Sequence, residues 1–401
     1  MTLRELSGNL LSGTTQIDAA HPMQPLFVVE QVGAGAHFVL SFANVTAFTT
    51  DDGIVLVDTG SFLLADKTRR VLREAVTAPA HTAIWTHGHV DHCFGVEHYE
   101  KENGPVRVIA HEAVVRRFER YKLTQGYNTA INKRQFQTDA QFPGEFRAPD
   151  ETYGTARTLD VGGRRFELVH ALGETDDHTW VFSDGVLCTG DMFIWASPNC
   201  GNPQKVQRFP REWAAALRAM DQRGAEVLCP GHGVPIWGAA EVHRALDETA
   251  SYLESLVDQV LTLLNRGARL DEILHAVRPD PELTKRPYLA PVYDEPEFVV
   301  RNLYRLYAGW WDGNPAHLKP PTDAALAREL ADLAGGAAKL ADRARACTDP
   351  RLACELIEFA ALAAPDDEAI RAARTAVYEA RARNERSLMA RGIYTSAARP
   401  R

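Results

Sequence analysis

The sequence predicts an α/β domain over residues 1–241 followed by an all-α region over residues 242–401. Two observations lead to this fold class. Between residues 36 and 233, short β-branched and apolar runs alternate with stretches of helical spacing, which is the pattern of an α/β fold. From about residue 242, helix formers dominate and apolar residues recur every three or four positions. A length of 401 residues leaves room for two or three domains with buried cores.

Composition and charge narrow the class of protein. The chain is 45% hydrophobic and 24% charged, as is usual for a globular enzyme. A net charge of -9, without a long run of lysine and arginine, argues against nucleic acid as a partner. No apolar run approaches the ~20 residues that cross a bilayer, so no membrane partner is expected. The N-terminus lacks a charged-then-apolar signal pattern, which favours a cytoplasmic protein. The six cysteines show no Cys-x-x-Cys pair and are expected to be reduced and buried.

The first strands are predicted between residues 36 and 60. Runs at 37–40, 45–50 and 54–58 are rich in β-branched residues, and an Asp-Asp-Gly turn at 51–53 predicts a hairpin. Asp58 ends an otherwise apolar strand, where an unpaired carboxylate would be costly. It is either a turn cap or part of a site at the end of this strand.

Elements of both types follow. The spacing predicts a helix over 62–77, a buried strand at 83–85, a helix at about 95–102, a strand at 106–110 and a helix at about 111–122. Residues 124–150 have no clear period and are expected to form a substrate-covering loop. Tyr127 and Arg134 are its candidates for binding an anionic or polar group. A solvated surface loop is the alternative.

The densest group of metal-binding residue types lies at 87–92. His87, His89, Asp91 and His92 fall within six positions, directly after the apolar run at 83–85. Imidazole is the commonest metal ligand in proteins. On extended chain, His87 and His89 point the same way and can bind one ion, while Asp91 and His92, past the bend, can reach a second. The stretch predicts half of a two-metal site.

Three later stretches offer further ligands. A strand at 166–169 leads to His170, Glu174 and His178. A strand at 185–193 contains Asp191 after a glycine, a pair that is common in turns and can serve as a helix or turn cap. In the third stretch, His232 stands between two glycines that allow the backbone to pass close to a metal.

The segment at 195–209 is rich in turn residues and amides and directly follows the strand that carries Asp191. It is therefore expected to line the pocket. Lys205 and Arg208 are candidate anion binders, or plain surface charges.

The His-x-His-x-Asp-His motif after a short strand resembles the signature of the metallo-β-lactamase superfamily. Members fold as an αββα sandwich with metals at one edge of two sheets. Common members have a third histidine where this chain has Glu174, and a glutamate there is similar to the alkyl sulfatase branch. The resemblance implies that Asp191 bridges the ions and that Asp58 supports the metal loop. The implied ligand set is His87, His89 and Glu174 on the first ion, and Asp91, His92 and His232 on the second. His170 and His178 are rival ligands to Glu174, and a histidine that is not a ligand is expected to hydrogen-bond to the site.

The C-terminal region contains an aromatic stretch at 287–320 that is expected to be a packing surface. Its segment at 310–315, Trp-Trp-Asp-Gly-Asn-Pro, resembles the dimerisation domain of alkyl sulfatases, which implies a homodimer. Alanine-rich helices are predicted at about 322–334, 336–347, 350–363 and 366–385 as a tetratricopeptide-like array. A helical subdomain of a monomer is the alternative.

The ligand set predicts a hydrolase. Two divalent ions and three carboxylates leave one positive charge, which a metal-bridged hydroxide neutralises. Zinc is the expected metal, with manganese or iron possible because the set is rich in oxygen. The hydroxide would attack an ester, lactone or sulfate ester, and Asp91 is the candidate for taking and returning the proton. The alternatives are β-lactam or amide hydrolysis, redox or lyase chemistry on the same scaffold, and a non-enzymatic scaffold.

Overall fold

A computed structural model describes residues 1–399 and divides the chain into two compact units. The first unit comprises Met1–Gln125 and Pro143–Gly309. The second comprises Gly126–Phe142 together with the described residues from Trp310 onward. Residues 242–309, which the composition groups with the helical region, therefore pack with the α/β part of the chain.

The first unit contains two β-sheets. Its strands are β1 Val28–Gly33, β2 Ala36–Leu40, β3 Val45–Thr50, β4 Gly53–Val57, β5 Ala80–Ile84, β6 Arg107–His111, β7 Glu151–Tyr153, β8 Ala156–Val161, β9 Arg164–His170, β10 Thr179–Ser183, β11 Val186–Ile194, β12 Val227–His232 and β13 Ile236–Trp237. The first sheet has the order β1-β2-β3-β4-β5-β6-β7 and is antiparallel up to β4 and parallel from β4 onward. The second has the order β13-β12-β11-β10-β9-β8, and only β11 and β12 are parallel. The predicted hairpin at 51–53 is confirmed, because Thr50 pairs with Gly53 across the turn.

Helices occur in both units. They are α1 Leu3–Leu11, α2 Ala65–Ala75, α3 Val96–Asn103, α4 Ala113–Leu123, α5 Gln125–Phe136, α6 Pro210–Asp221, α7 Ala239–Leu264, α8 Leu270–Ala276, α9 Pro281–Thr284, α10 Pro296–Ala308, α11 Asp323–Leu333, α12 Ala337–Arg345, α13 Pro350–Ala363, α14 Glu368–Arg383 and α15 Leu388–Ala398. None of the helices in residues 1–399 combines the length and apolarity that spanning a bilayer requires.

The two sheets face each other with helices outside them. Phe48 of β3 meets Phe166 of β9 edge to face, with ring centroids 5.3 Å apart, and both side chains are fully buried. Helices α2 and α3 pack against the first sheet, and α6 and α7 pack against the second. This arrangement confirms the predicted αββα sandwich followed by a helical region.

The second unit is helical and has its own core. Ala344, Ile357 and Ala360 are buried at the contacts between α12 and α13, where small side chains let the helices approach closely. Asp349 caps α13 by accepting a backbone N–H, and Pro350 occupies the first helical position. The prediction of a loop over residues 124–150 is wrong for Gln125–Phe136, because these residues form the helix α5.

The strands that carry candidate ligands end at the same place. Parallel pairing of β4 with β5, and of β11 with β12, brings the carboxyl ends of each pair together. Asn44, at the start of β3, also donates hydrogen bonds to the carbonyls of Pro230 and Gly233, which joins the first sheet to the end of β12. Side chains at these strand ends can therefore converge.

Candidate metal centre

The loop after β5 carries four candidate ligands and is held by Asp58, the residue after β4. One oxygen of Asp58 accepts the Thr86 backbone N–H at 2.8 Å, and the other accepts the Thr86 hydroxyl at 2.8 Å. The second oxygen also lies 2.7 Å from Nδ1 of His92. Asp58 therefore fixes the loop at two points and directs Nε2 of His92 toward the other ligands.

One group of potential ligands consists of His87, His89, Glu174 and Asp191, whose ligand atoms all lie within 4.8 Å of one another. Nε2 of His87 is 2.8 Å from Nδ1 of His89. Oε2 of Glu174 lies 3.5 Å from the first of these nitrogens and 3.3 Å from the second. The group therefore brings three segments of the chain, 87–89, 174 and 191, to one point.

A second group consists of Asp91, His92 and His232, again within 4.8 Å of one another. Oδ2 of Asp91 lies 3.5 Å from Nε2 of His232 and 3.8 Å from Nε2 of His92. Asp191 of the first group reaches both histidines, with Oδ1 3.3 Å from Nε2 of His92 and Oδ2 3.4 Å from Nε2 of His232. Asp191 thus lies between the two groups.

The residues present fit a pair of metal ions. Within the described chain, Nε2 of His92, Oε2 of Glu174 and Oδ1 of Asp191 are buried and make no hydrogen bond of good geometry. A buried polar atom without a partner lowers the stability of the fold by roughly 1–3 kcal/mol. Three such atoms close together therefore indicate that a bound species completes the site. Imidazole nitrogens and carboxylate oxygens in sets of three or four are the donors that Zn²⁺ takes in proteins. Bound cations would satisfy all three atoms.

The electrostatics of the site also favour cations. Burial lowers the pKa of His92, but Asp191 and Asp58 outweigh burial and raise that pKa well above its usual value. For His232 as well, Asp191 outweighs burial and the pKa is raised. Burial raises the pKa of Asp191, yet its histidine partners bring it well below the usual value. Burial lowers the pKa of His87, which keeps it in the neutral form that binds metals. Asp191 is therefore ionised and attracts positive charge.

Glu174 is held through its other oxygen. Nη1 of Arg208 lies 2.7 Å from Oε1, and the amide of Asn199 donates to the same oxygen. Burial raises the pKa of Glu174, but His89 and Arg208 lower it to about 2, so the side chain is an anion. Oε1 is therefore occupied by the protein, and Oε2 faces the histidines.

His170 and His178, the alternative candidates for the place of Glu174, belong to neither group of potential ligands. Nε2 of His178 accepts the backbone N–H of Asp191 at 3.1 Å, and its ring stacks on His87 with centroids 4.6 Å apart. Burial lowers the pKa of His178 to about 4, so it is neutral. Nε2 of His170 lies 3.0 Å from the carbonyl oxygen of Asp176. The structure thus places Glu174, and neither histidine, with the other potential ligands of the first group.

Comparison with known families assigns both parts of the chain. A family model described as the metallo-beta-lactamase superfamily matches residues 39–232, and one described as alkyl sulfatase dimerisation matches residues 269–400. This chain carries a metallo-beta-lactamase domain and an alkyl sulfatase dimerisation domain. The resemblance inferred from the sequence motifs is confirmed.

Known relatives are alkylsulfatases. A linear primary-alkylsulfatase of Pseudomonas sp. (strain ATCC 19151) is 27% identical over 321 residues, which are 72% of this chain and 60% of the relative. An (R)-specific secondary-alkylsulfatase of Pseudomonas sp. is 25% identical over 397 residues, which are 89% of this chain and 59% of the relative. This chain therefore spans about three fifths of the length of these curated relatives.

The fold has a counterpart among solved structures. The stereoselective inverting sec-alkylsulfatase from Pseudomonas sp. aligns with a TM-score of 0.85 and 24% sequence identity. The alignment covers 92% of this chain and 65% of that chain. The likeness shows that the metallo-beta-lactamase and dimerisation domains share one fold with that structure.

Two cations of the metallo-beta-lactamase domain lie near the ligand groups. Arg117 is buried and donates to Asp177 at 2.8 Å; the same Asp177 oxygen accepts the Gly88 backbone N–H at 2.9 Å. Lys205 is half-buried, and its ammonium makes no hydrogen bond or ion pair with the part of the chain that the structure describes. Burial and the nearby Arg208 lower the pKa of Lys205 to about 8. Lys205 is thus an unpaired charge within electrostatic range of the ligands.

The structure assigns the remaining candidates to the second unit. Tyr127 and Arg134 lie on α5 and are exposed. Their contact with a substrate stays a prediction. Sequence reasoning did not single out Asn199, Arg117 or Asp177 as site residues. The sequence contains a weak indication for Asn199, because this residue lies in the amide-rich segment after Asp191. No sequence pattern indicates that Arg117 pairs with Asp177, which is 60 positions away.

Proposed function

We propose that this protein hydrolyses sulfate esters with two divalent metal ions, zinc by default, bound by the two ligand groups. The observation that carries the proposal is the convergence of seven potential ligands with three unpaired buried atoms among them. The alkylsulfatase relatives, which match 72% and 89% of the chain, support sulfate esters over carboxylic esters and lactones.

Each ligand has a role in the proposal. His87, His89 and Glu174 would hold the first ion, and Asp91, His92 and His232 would hold the second. Asp191, which reaches residues of both groups, would be available to both ions. When bound, such a pair of ions lowers the pKa of water, polarises the ester and stabilises the leaving oxygen. Asp58 and His178 orient their neighbours through the hydrogen bonds described above.

Other side chains act on the proton and the substrate anion. Asp91 is the most accessible of the carboxylate ligands, with 22% of its side chain exposed, and it takes and returns the proton of the attacking water. Lys205 has a free ammonium and binds the sulfate group. Water adds to the ester and the ester bond breaks, giving an alcohol, sulfate and one proton.

The protein is proposed to act as a homodimer, because residues 269–400 match the alkyl sulfatase dimerisation family. A cytoplasmic location stays a prediction.

A reconstitution experiment tests the function. Chelator-treated protein is reloaded with Zn²⁺, Mn²⁺ or Fe²⁺, and sulfate release is measured from primary and secondary alkyl sulfates, with carboxylic esters and lactones alongside. We expect two bound ions and metal-dependent sulfate release. Isotopically labelled water then shows which bond breaks, because the label enters either the sulfate or the alcohol. Metal-loaded protein that hydrolyses only carboxylic esters, or nothing, would exclude the proposal.

The isosteric variant Glu174→Gln tests the ligand assignment. An amide keeps the shape but offers a poorer ligand, so the variant should bind about one ion in place of two and lose at least ~100-fold in kcat. Elemental analysis of the dialysed protein gives the metal content. Glu112→Gln serves as the control and should keep both ions, because Glu112 is an exposed glutamate between β6 and α4. Two ions in the Glu174 variant would move the ligand role to His178 or His170.

A further inference from the structure

We propose that Arg208 is a positioning residue for Glu174: it holds one carboxylate oxygen so that the other is free for the first ion, and it balances the charge of the carboxylate. The inference rests on the proposed metal site, but not on the identity of the substrate. In this proposal Arg208 pairs with the carboxylate of Glu174, and Lys205 is the cation that binds the substrate anion.

In the described residues, both polar contacts of the Arg208 guanidinium go to Glu174. Its Nη1 lies 2.7 Å from Oε1 of Glu174 and 2.9 Å from the backbone carbonyl oxygen of the same residue. Asn199 donates to Oε1 as well. With two donors on Oε1, the carboxylate cannot rotate without breaking both contacts, and Oε2 keeps its position near His87 and His89.

Hydrogen bonds with Asn302 and Gln207 hold the backbone of the loop at Arg208. Oδ1 of Asn302, on α10, accepts the side-chain amide of Gln207 at 2.9 Å, and its Nδ2 donates to the carbonyl oxygen of Arg208 at 3.1 Å. The Gln207 amide also donates to the carbonyl oxygen of Arg208 at 2.9 Å. Arg208 is thus anchored to α10 on one side and to Glu174 on the other.

Burial explains why the two charges belong together. Arg208 is 2% exposed and Glu174 is 1% exposed. Removing one partner of a buried ion pair leaves an uncompensated charge and is strongly destabilising, whereas removing both can be neutral. In the same way, a buried cation without Glu174 would repel the divalent ions, while Glu174 without Arg208 would lose its orientation. Positions 174 and 208 should therefore be coupled in metal binding.

The experiment measures binding of Zn²⁺ alone, without substrate, by elemental analysis and by competition with a chromophoric chelator. The variants are Arg208→Met, Arg208→Lys, Glu174→His and the double variant Glu174→His/Arg208→Met. Arg164→Met is the matched control, since Arg164 is a buried arginine on β9 that contacts Ser183 and Phe48. Melting in chelator shows whether each variant folds before metal is added.

We expect Arg208→Met to weaken the first Zn²⁺ site by about 10–100-fold, the usual effect of removing a residue that orients a ligand. Arg208→Lys keeps the charge but not both contacts, and should weaken it less. Glu174→His alone should lose the first ion, because Arg208 is then unpaired beside the metals. The double variant should regain both ions, and Arg164→Met should keep them.

Two results would overturn the proposal. One is wild-type Zn²⁺ affinity in Arg208→Met with a raised KM for a sulfate ester, which would make Arg208 a substrate-binding cation. The other is a double variant that binds no more Zn²⁺ than Glu174→His. If Arg208→Met does not fold, Arg208→Lys decides, and unchanged affinity there counts against positioning. Protein that binds two ions but releases no sulfate would refute the proposed function and leave this inference standing.

Discussion

At the scale of single residues, Lys205 and Arg208 lie close together on the loop after β11 but carry their charges in different environments. Arg208 is buried and bound to Glu174, whereas the ammonium of Lys205 has no ionic partner in residues 1–399. The sequence could not separate these two roles, because Glu174 is 34 positions from Arg208 and nothing in the spacing of the chain links them.

Lys205→Met should weaken the binding of a sulfate ester. A hydrogen bond to a charged group contributes about 1.5–3 kcal/mol, so KM should rise roughly 10–100-fold while both ions stay bound. Because Lys205 is charged below its pKa of about 8, and bound ions would lower that pKa further, kcat/KM of the wild type should fall as the pH rises toward 8. The measurement is a pH profile of kcat/KM for both proteins.

Lys101→Met, at an exposed lysine on α3, is the control for this prediction and should leave KM unchanged. A wild-type KM in Lys205→Met would remove Lys205 from the site and direct attention to Arg117 as the remaining cation.

The candidate ligands were predictable from the sequence to the extent that local spacing encodes them. Four residues at 87–92 form a motif whose geometry follows from extended chain, and the structure brings them close to Glu174, Asp191 and His232. The side chains that hold these ligands were not predictable. Asp177 meets the Gly88 N–H across 89 positions, and such a contact depends on the folded sandwich and not on any local pattern.

At the scale of secondary-structure elements, the loop after β11 is clamped to α10 by a buried carboxylate. Asp294 accepts the backbone N–H of Gly201 at 2.5 Å and that of Glu295 at 2.7 Å. A side chain at Gly201 would collide with the backbone of Phe298, so the loop is pressed against the start of the helix. This clamp holds the segment that carries Lys205 and Arg208.

The clamp should make stability depend on pH. Burial raises the pKa of Asp294 from 3.8 to about 7. The folded protein then keeps a proton that the unfolded chain releases, so the contribution of Asp294 is fully present below about pH 4 and is lost as the pH rises to about 7. Relative to Asp294→Asn, the wild type should lose stability over this range, by about 4 kcal/mol if the whole shift is realised.

Denaturant unfolding followed by tryptophan fluorescence from pH 4 to 8, in chelator, measures this difference. Asp258→Asn, at an exposed position on α7, is the control and should run parallel to the wild type. A constant difference between the wild type and Asp294→Asn at every pH would show that Asp294 is ionised throughout.

Most elements were predictable because their apolar residues follow the period of a helix or strand, and α5 shows where that signal fails. Its buried residues are Asn128, Ile131 and Gln135, so two of the three side chains on its buried face are polar. The face exists, but a hydrophobic pattern cannot reveal it. The packing of α15 against α5 was not predicted either. The two helices approach closely because Gly392 of α15 has no side chain to collide with the carbonyl oxygen of Gln135 on α5. The spacing of apolar residues does not encode such a contact.

At the scale of the whole molecule, the second unit carries large apolar side chains on its surface. Trp310 is 73% exposed and Leu333 is 77% exposed. The segment around Trp310 is ordered by its own hydrogen bonds, because Nε1 of Trp311 donates to the Asn314 carbonyl oxygen at 2.8 Å and Asp312 accepts the Asn314 N–H at 2.9 Å. Exposed aromatic side chains on an ordered segment are typical of protein interfaces. Trp310 also falls within the residues that match the alkyl sulfatase dimerisation family.

Trp310→Glu should therefore separate the proposed homodimer. A carboxylate at the centre of an apolar interface costs several kcal/mol without a partner, which is enough to shift a dimer to monomer at micromolar concentration. Sedimentation velocity should show a dimer for the wild type and a monomer for the variant, while Zn²⁺ content stays at two ions per chain because the ligands lie in the first unit. Leu123→Glu is the matched control, since Leu123 is 87% exposed and lies outside the dimerisation match. It should remain a dimer. If Trp310→Glu keeps the sedimentation coefficient of the wild type, or if the wild type is itself monomeric, Trp310 is not at a dimer interface and its exposure has another cause.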